Sequence, residues 1–401
     1  MSAGTAPGIY DNPTTYTMKI LHTSDWHLGQ SLFNYDRTEE QSAMLEQMVC
    51  LVREHQPDVF LLSGDIFDTT QPSAATQRLF VNAIVNIHET RPGMAIVCTA
   101  GNHDSASRHE VFRQPWLNLN VHSIGRLDRD NPSGHIIRIE GTGYVVALPY
   151  CYERNIPQDF CQQLLDEVAR ENKAQLPVVM MAHTTLERSD LRGHMTHAGI
   201  TIGGIETMTL EQVGRGYDYL ALGHIHHAQW VRGTSQRARY CGSPLQVSFD
   251  EDYEHSVSIV DIDAHHGKPL LHTIPIHSPR PLVTLPPQGY ASWEKAMQML
   301  ADFPQDNPAY IRLNISHEST LPPDATNEAS RAVQAKQCRL CIINRERREA
   351  GTGTQETFSI QEFRQESPLE IACMYARQHG YVFDKDTIKL FNEAVNLVNE
   401  E

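Results

Sequence analysis

Leu21-His22-Thr23-Ser24-Asp25-Trp26-His27-Leu28 is the stretch from which the rest of the chain can be read. Residues 19–22 have strand character and run into an Asp-x-His. A carboxylate and an imidazole therefore stand two residues apart at the C-terminal end of a buried strand. Both are good ligands for a divalent metal. A lone Asp-x-His also fits a turn residue followed by a surface imidazole. Recurrence decides between the two, because similar polar clusters follow four more apolar runs.

Those runs appear in order along the chain. Residues 58–63 end in Gly64-Asp65-Ile66-Phe67-Asp68, and residues 94–99 lead into Gly101-Asn102-His103-Asp104. Residues 177–182 end in His183-Thr184-Thr185, and 217–222 in Gly223-His224-Ile225-His226-His227. Short, continuous apolar runs are typical of strands buried on both faces. Between the first three, the spacing predicts helices over 37–56 and 73–88. In the first of these Met44, Leu45, Met48, Val49 and Val52 share one face, and Pro57 stops it. The order β-α-β-α-β places each polar loop at the same end of a sheet, where ligands collect in α/β proteins.

The texture then changes to shorter strands. Residues 135–139 and 144–148 read as a hairpin across Glu140-Gly141-Thr142-Gly143. A helix is expected over 159–172, and a Gly- and His-rich loop over the site at 189–204. Residues 239–244 and 256–262 continue the sheet. The fold class is α/β (an α+β sandwich): two packed mixed β-sheets flanked by helices, over residues 18–278.

Residues 279–348 carry no such clusters and read as a small α+β cap domain. Its helices fall at 292–303 and 327–336, its strands at 310–315 and 338–344. A Gly/Thr/Gln stretch at 349–356 lies in a linker placed at 349–358. The helical segment 359–401 follows. Ser367-Pro368-Leu369-Glu370 is a capping box with proline at the first helical position, and that helix should end near Gly380. A last helix, 385–400, carries Ile388, Phe391, Val395 and Val398 along one stripe, with Leu390, Ala394 and Leu397 beside it. These stripes must be buried against their own domain or a partner protein. Residues 1–17 read as a disordered leader rich in Gly, Pro, Thr and Asn, without the pattern of a signal peptide.

Bulk composition narrows the function. At 401 residues, 40% hydrophobic and 20% charged, the chain supports a sizeable core. Its 33 Lys+Arg against 49 Asp+Glu give a net charge of −16, which argues against indiscriminate binding to nucleic acid or an anionic membrane. Nucleic-acid contact then needs a local basic patch, a metal site or a partner's surface. Eight cysteines lack a disulfide framework, and Cys338-x-x-Cys341 has no second pair or nearby His to complete a zinc site. No apolar run approaches the ~18 residues of a membrane-spanning helix.

Collected, the strand-end residues are Asp25, His27, Asp65, Asn102, His103, His183, His224 and His226. Carboxylates, an amide and imidazoles without a thiolate suit Mn²⁺, with Mg²⁺, Fe²⁺ and Zn²⁺ as competitors. Seven oxygen and nitrogen ligands exceed one tetrahedral site and suit two ions sharing a carboxylate. Two ions about 3.5–4 Å apart clamp a phosphate and activate a water.

Asp25-x-His27, Gly64-Asp65-x-x-Asp68, Gly101-Asn102-His103-Asp104, His183 and Gly223-His224-x-His226 resemble, in order and spacing, the motifs of the calcineurin-like metallophosphoesterases. The resemblance covers residues 18–276. More narrowly, His22-Thr23-Ser24-Asp25-Trp26-His27-Leu28-Gly29, Leu222-Gly223-His224-Ile225-His226, Tyr240-Cys241-Gly242-Ser243-Pro244 and Ser248-Phe249-Asp250-Glu251 are similar to the SbcD family, the bacterial nuclease subunits of SbcCD complexes.

The resemblance implies that Asp25, His27, Asp65 and His226 hold one ion, and Asp65, Asn102, His183 and His224 the other, with Asp65 bridging. His103 is then a catalytic residue that stabilises the transition state or protonates the leaving oxygen. Asp104 either orients His103 or caps the loop. Asp68 reads as a loop residue beside the ligands, and His22 as a core histidine. His194, His197 and His227 read as surface or loop histidines, with a substrate contact as the alternative. Trp26 either fills the core or stacks on a base.

The implied activity is exonuclease and endonuclease cleavage of DNA phosphodiesters at double-stranded ends and hairpins, in repair and recombination. The chain has no G-x-x-x-x-G-K-[ST] loop, so ATP dependence falls to an SbcC-type coiled-coil ATPase bound through the C-terminal helices. A homodimer within a heterotetramer, a cytoplasmic, nucleoid-associated location and no membrane contact complete the expectation. A stand-alone phosphodiesterase for nucleotides or other small phosphoesters is the alternative, and unpaired amphipathic helices after a linker speak against it.

Overall fold

Alternation of buried side chains along each strand gives this chain two sheets with three apolar layers. The computed structural model describes residues 17–191 and 207–346, with 369, 372–373, 383–384 and 387–391 beyond them. The first six-stranded sheet runs Leu270–Pro275, Ser256–Ile262, Met18–Thr23, Val59–Ser63, Ala95–Thr99, Val121–Ile124. From Met18–Thr23 to Val121–Ile124 its pairings are parallel, and the two strands on the other side join antiparallel. The second sheet runs Gln229–Trp230, Ala238–Tyr240, Tyr219–Gly223, Val178–His183, Gly143–Leu148, Ile136–Ile139. Its four inner strands are parallel, with one antiparallel strand at each edge. The expected hairpin is the Ile136–Ile139/Gly143–Leu148 pair.

Within a strand, successive side chains face opposite layers. Ile20, Leu61, Val97, Val145, Val179, Met181 and Tyr219 fill the space between the sheets. Leu21, Phe60, Leu62, Ile96 and Cys98 point the other way, onto helices Thr38–His55 and Ala74–Thr90. Tyr144, Val146, Met180, Leu220 and Leu222 do the same beneath helix Phe160–Glu171. Helix Ala74–Thr90 starts where its cap requires, with Ser73 accepting a bond from the Thr76 amide. Five parallel strands, three from one sheet and two from the other, deliver their carboxyl ends to one edge of the sandwich.

The segment after residue 279 is a parallel β-α-β-α-β unit. Leu282–Leu285, Tyr310–Ile315 and Arg339–Arg345 form the sheet, and Trp293–Asp302 and Ala325–Val333 are the crossovers. It belongs to the same compact unit, Met1–Glu346, as the sandwich. Several elements were not expected, and three of them have a plain reason. Leu282–Leu285 escapes notice because it is four residues long and bracketed by Pro281 and Pro286. Leu270–Pro275 is an exposed edge strand without apolar alternation. Helix Ala106–Leu117 contains Pro115, buries His109, and leaves Val111, Phe112 and Leu117 exposed, so it shows no apolar stripe.

The second unit is Arg347–Glu401. There residues 369, 372–373 and 387–391 are helical, and Asp384 Oδ1 accepts from the Thr387 amide at 2.8 Å, as a helix cap does. The leader (but for Thr17), most of the 189–204 loop with His194 and His197, the linker and the capping box (but for Leu369) lie outside the described residues. No described helix is long and apolar enough to cross a membrane.

Leu61 is fully buried between the sheets, under the site. Leu61→Ala is expected to lower unfolding stability by about 2–5 kcal/mol in a urea titration. A loss under about 1 kcal/mol would contradict a tightly packed inter-sheet layer.

Candidate metal centre

The strand ends reach the site through unusual backbone. Asp25, His27, Asp65 and His224 have φ of 53°, 44°, 49° and 98°, a region that side chains disfavour by about 1–3 kcal/mol each. Neighbouring loops hold them there. The amides of Asp25, His27 and Leu28 donate to the carbonyls of Gly64, Asp65 and Ile66 at 3.0, 3.1 and 2.9 Å. The pairing of the first two parallel strands thus continues past their ends. Gly223 makes the junction between the sheets possible. A Cβ there would lie 1.9 Å from the Ser63 carbonyl oxygen and 2.9 Å from His183 Nδ1.

Two clusters form side by side. Ligand atoms of Asp25, His27 and His226 lie within 4.8 Å of one another, and so do those of Asp65, His183 and His224. Asn102 joins the second, its Oδ1 lying 3.0 Å from both His183 Nε2 and His224 Nδ1. Asp65 stands between them, with Oδ2 3.3 Å from His183 Nε2 and 3.8 Å from His27 Nε2. All seven expected ligands therefore converge. The first sheet supplies Asp25, His27, Asp65 and Asn102, and the second His183, His224 and His226.

The tautomers settle what the clusters suit. His183 Nδ1 lies 2.8 Å from the Ser63 carbonyl, which can only accept, so Nδ1 carries the proton and Nε2 presents a lone pair. His226 Nδ1 lies 2.7 Å from Glu251 Oε1, and His27 Nδ1 3.4 Å from Asp68 Oδ1. The Nε2 atoms of His27 and His226 face each other at 3.2 Å. Two lone pairs at that distance repel unless a cation or a proton lies between them. The surrounding carboxylates make this edge strongly negative, which favours a cation there, either a proton on the rings or a metal ion. Burial alone would depress His27, but the Asp68, Asp65 and Asp25 carboxylates raise it to about 9. Burial likewise opposes charge on His183, but Asp65, Asp25 and the Ser63 carbonyl raise it to about 9. Burial pushes Asp65 up, yet His183, His27 and His103 hold it well below the carboxylate range. The donor set fits a dinuclear metal site.

His103 and Asp68 stay beside the site, with ligand atoms that lie within 4.8 Å of each other and of one on His27. The His103 amide donates to Asp65 Oδ1 at 2.8 Å, and its Nδ1 lies 2.8 Å from the Asp68 carbonyl. Asp104 is committed elsewhere. Its buried carboxylate accepts from the amides of Gly101, Phe67 and Ile66 at 2.8, 2.9 and 3.1 Å. The carbonyl of Asp68, and not the Asp104 carboxylate, is the acceptor beside the His103 ring, so of the two readings of Asp104 the contacts favour the loop cap over the orientation of His103. His22 is fully buried between Tyr219 OH and Ser63 Oγ, and burial lowers it to about 3. Trp26 is 2% exposed, donates to Thr23 Oγ1 and meets Phe60 and Phe80 edge-on, which makes it core. His227 stacks on Tyr253 at 4.4 Å between centroids.

The sequence model of the calcineurin-like phosphoesterases matches residues 18–228. The SbcD protein of the Rhodobacter capsulatus SbcCD nuclease is 32% identical over 306 residues, 68% of this chain and 73% of that protein. The chain belongs to the calcineurin-like phosphoesterases, in their SbcD family. Two further relatives are also SbcD proteins of SbcCD nucleases. That of Escherichia coli K12 is 28% identical over 86% of this chain and 90% of its own length. That of Bacillus subtilis is 31% identical over 61% and 66%.

One contact of this SbcD-family centre had no assigned role in the sequence. Glu251 was visible only as part of a family-like string, whereas its fully buried carboxylate meets the His226 ring. An acidic residue 25 positions after a ligand carries no spacing signal.

Gly223→Ala is expected to push the two sheets' loops apart and cut metal uptake at least tenfold in equilibrium dialysis. Gly93→Ala, where a Cβ meets nothing within 4 Å, serves as the control and should bind as the parent does. Equal uptake by both variants would contradict the close approach.

Proposed function

We propose that this chain is the nuclease subunit of an SbcCD-type complex. It hydrolyses phosphodiester bonds at DNA ends and hairpins as an exonuclease and endonuclease, with ATP dependence supplied by an SbcC-type coiled-coil ATPase. One observation carries the chemistry: Asp65 Oδ2 lies between two ligand clusters, 3.3 Å from His183 Nε2 and 3.8 Å from His27 Nε2, while its Oδ1 accepts from the His103 amide. The likeness to SbcD proteins of SbcCD nucleases over most of the chain supports the substrate and the partner.

Asp25, His27, Asp65 and His226 hold the first ion; Asp65, Asn102, His183 and His224 hold the second. Mn²⁺ suits this oxygen and nitrogen set best. Held there, two such ions would supply Lewis acidity for a phosphate oxygen and for a water. The protein's own share is positional. His183 and His226 are held by outward bonds that aim Nε2 inward, and Asp65 is fixed by the His103 amide. His103 Nδ1 donates to the Asp68 carbonyl, because a carbonyl can only accept. Nε2 takes no part in that bond, and with the ring as the imidazolium it would hand its proton to the departing oxygen and be left neutral. Asp104 holds the loops that carry Asp65 and His103, and so acts on geometry alone.

Residues 18–278 form the nuclease domain, 279–348 the cap, 349–358 the linker, and 359–401 the helical segment that engages the ATPase. The net charge of −16 supports a division of labour, in which the partner supplies much of the DNA-binding surface. Exposed Val81, Val111, Phe112 and Leu117, on helices Ala74–Thr90 and Ala106–Leu117, support a homodimer within the complex. Its place is the cytoplasm, at the nucleoid.

Chelation is expected to abolish cleavage of linear duplex and hairpin DNA, and Mn²⁺ to restore it. Undiminished cleavage in chelator would sink the mechanism. His103→Ala should keep both ions yet lose about 10²–10⁴-fold in cleavage rate. Metal analysis showing a lost ion in that variant would make His103 a ligand. Deleting the residues after 354 should abolish co-purification with the ATPase. A deletion that altered neither partner binding nor DNA processing would overturn this assignment.

A further inference from the structure

The first ligand cluster is gripped from both sides by one short segment, residues 246–251. On one side Glu251 Oε1 accepts from His226 Nδ1 at 2.7 Å. Its other oxygen accepts from the Val247 amide at 2.7 Å, and the side chain is fully buried. On the other side Gln30, two residues past Leu28 on the His27 loop, donates through Nε2 to the Val247 carbonyl at 3.1 Å. Arg37 ties the same pair together, donating to Gln30 Oε1 at 2.6 Å and to the Gln246 carbonyl at 2.7 Å.

The outer face of this segment is held by the small parallel sheet. Gln246 Oε1 accepts from the Leu282 amide at 3.3 Å, while Gln246 Nε2 donates to the Glu251 carbonyl at 2.8 Å. Arg312, on the central strand Tyr310–Ile315, pairs with Asp250 Oδ1 at 2.6 Å and donates to the Phe249 carbonyl at 2.9 Å. Its guanidinium also lies over the Phe249 ring, 5.3 Å from the centroid. An unbroken chain of direct contacts therefore runs from the small sheet to His226. The second cluster is anchored within the sandwich instead: His183 bonds to the Ser63 carbonyl, and Asn102 lies against both His183 and His224.

We propose that Glu251 is a positioning residue for His226, and that segment 246–251 is a strut through which the small sheet sets the affinity of the first ion site but not the second. Two physical reasons make the arrangement matter. A histidine that donates its outer N–H to a carboxylate is fixed in the ligating tautomer and ring orientation, and its inner nitrogen is made more basic. Loss of such a partner commonly costs about 10–100-fold in metal affinity. A carboxylate can hold the ring only if its own backbone is held. Here that backbone is anchored to Gln246, Arg312 and Leu282. Anything that shifts the small sheet, a DNA strand or a partner protein included, is then felt at one ion and not at the other.

The inference rests on the two-ion reading, and its test separates the two. The full chain is titrated with Mn²⁺, following the free ion by electron paramagnetic resonance, together with the signal of exchange-coupled ion pairs. The parent should bind two ions; if it binds fewer, the two-ion reading fails, and with it the premise of the strut. Glu251→Gln keeps size and an acceptor for the Val247 amide, but presents an N–H to the His226 N–H. It is expected to weaken one ion about 10–100-fold, leave the other at parent affinity and reduce the paired signal at limiting Mn²⁺. Excess Mn²⁺ should restore that signal.

Placed on His226→Ala the same substitution should cost nothing further, and placed on Asn102→Ala it should cost its full amount. Arg312→Ala, far from the ions, should weaken the same ion by a smaller factor. Thermal melts confirm that each variant is folded. Glu251→Gln binding both ions as the parent does would overturn the positioning role. Equal weakening of both ions would overturn it too, by making Glu251 a general structural residue. Arg312→Ala without effect on the first ion would overturn the strut.

Discussion

A carboxylate shared between the ends of two sheets is the constraint on which this protein depends. Asp65 is 2% exposed and leaves a strand of the first sheet. Its Oδ2 faces His183 from the second sheet and His27 from its own, and its Oδ1 is held by the His103 amide. A buried carboxylate without partners is costly, and partners on both sides offset much of that cost. The sandwich must therefore keep its two sets of parallel strand ends in contact at this edge. Gly101 shows how little space is left: a Cβ there would stand 2.1 Å from Asp65 Oδ1. The left-handed backbone at Asp25, His27 and Asp65 is the conformational cost of that convergence, and the buried inter-sheet layer beneath it offsets the cost.

Much of this was legible because parallel strands carry their signal locally. An apolar run buried on both faces reads the same in any context, and its polar terminus is adjacent in sequence. Asp25, His27, Asp65, Asn102, His183, His224 and His226 were all found in this way, and the structure brings all seven together. His22 and Trp26 were also read as they lie, in the core. What escaped was whatever depends on contact between distant segments. For Asp104 the sequence left two readings, a partner for His103 or a loop cap, and only the three backbone amides from two loops that bond its carboxylate favour the cap. Glu251 has no sequence neighbour that marks it. Helix Ala106–Leu117 packs against its sheet through few apolar side chains, so periodicity had nothing to report.

The junction between sandwich and small sheet is built from charge as much as from apolar area. Tyr310 is fully buried there beside Leu32 and Phe249. Arg280 Nε lies 3.5 Å from the buried Glu40 carboxylate, and Arg37 is 2% exposed. Buried ion pairs add little net stability, because desolvation offsets their attraction. They do fix geometry, since one partner cannot move without stranding the other. A junction of this kind suits a sheet whose position is read by the ion site next to it.

The most direct test of the account is the metal stoichiometry of Asp65→Asn beside that of Asn102→Ala. If one carboxylate serves both ions, Asp65→Asn should lose tight binding of both, while Asn102→Ala should lose only one. Retention of one ion at parent affinity by Asp65→Asn would contradict the shared carboxylate, and with it a two-ion centre bridged by Asp65.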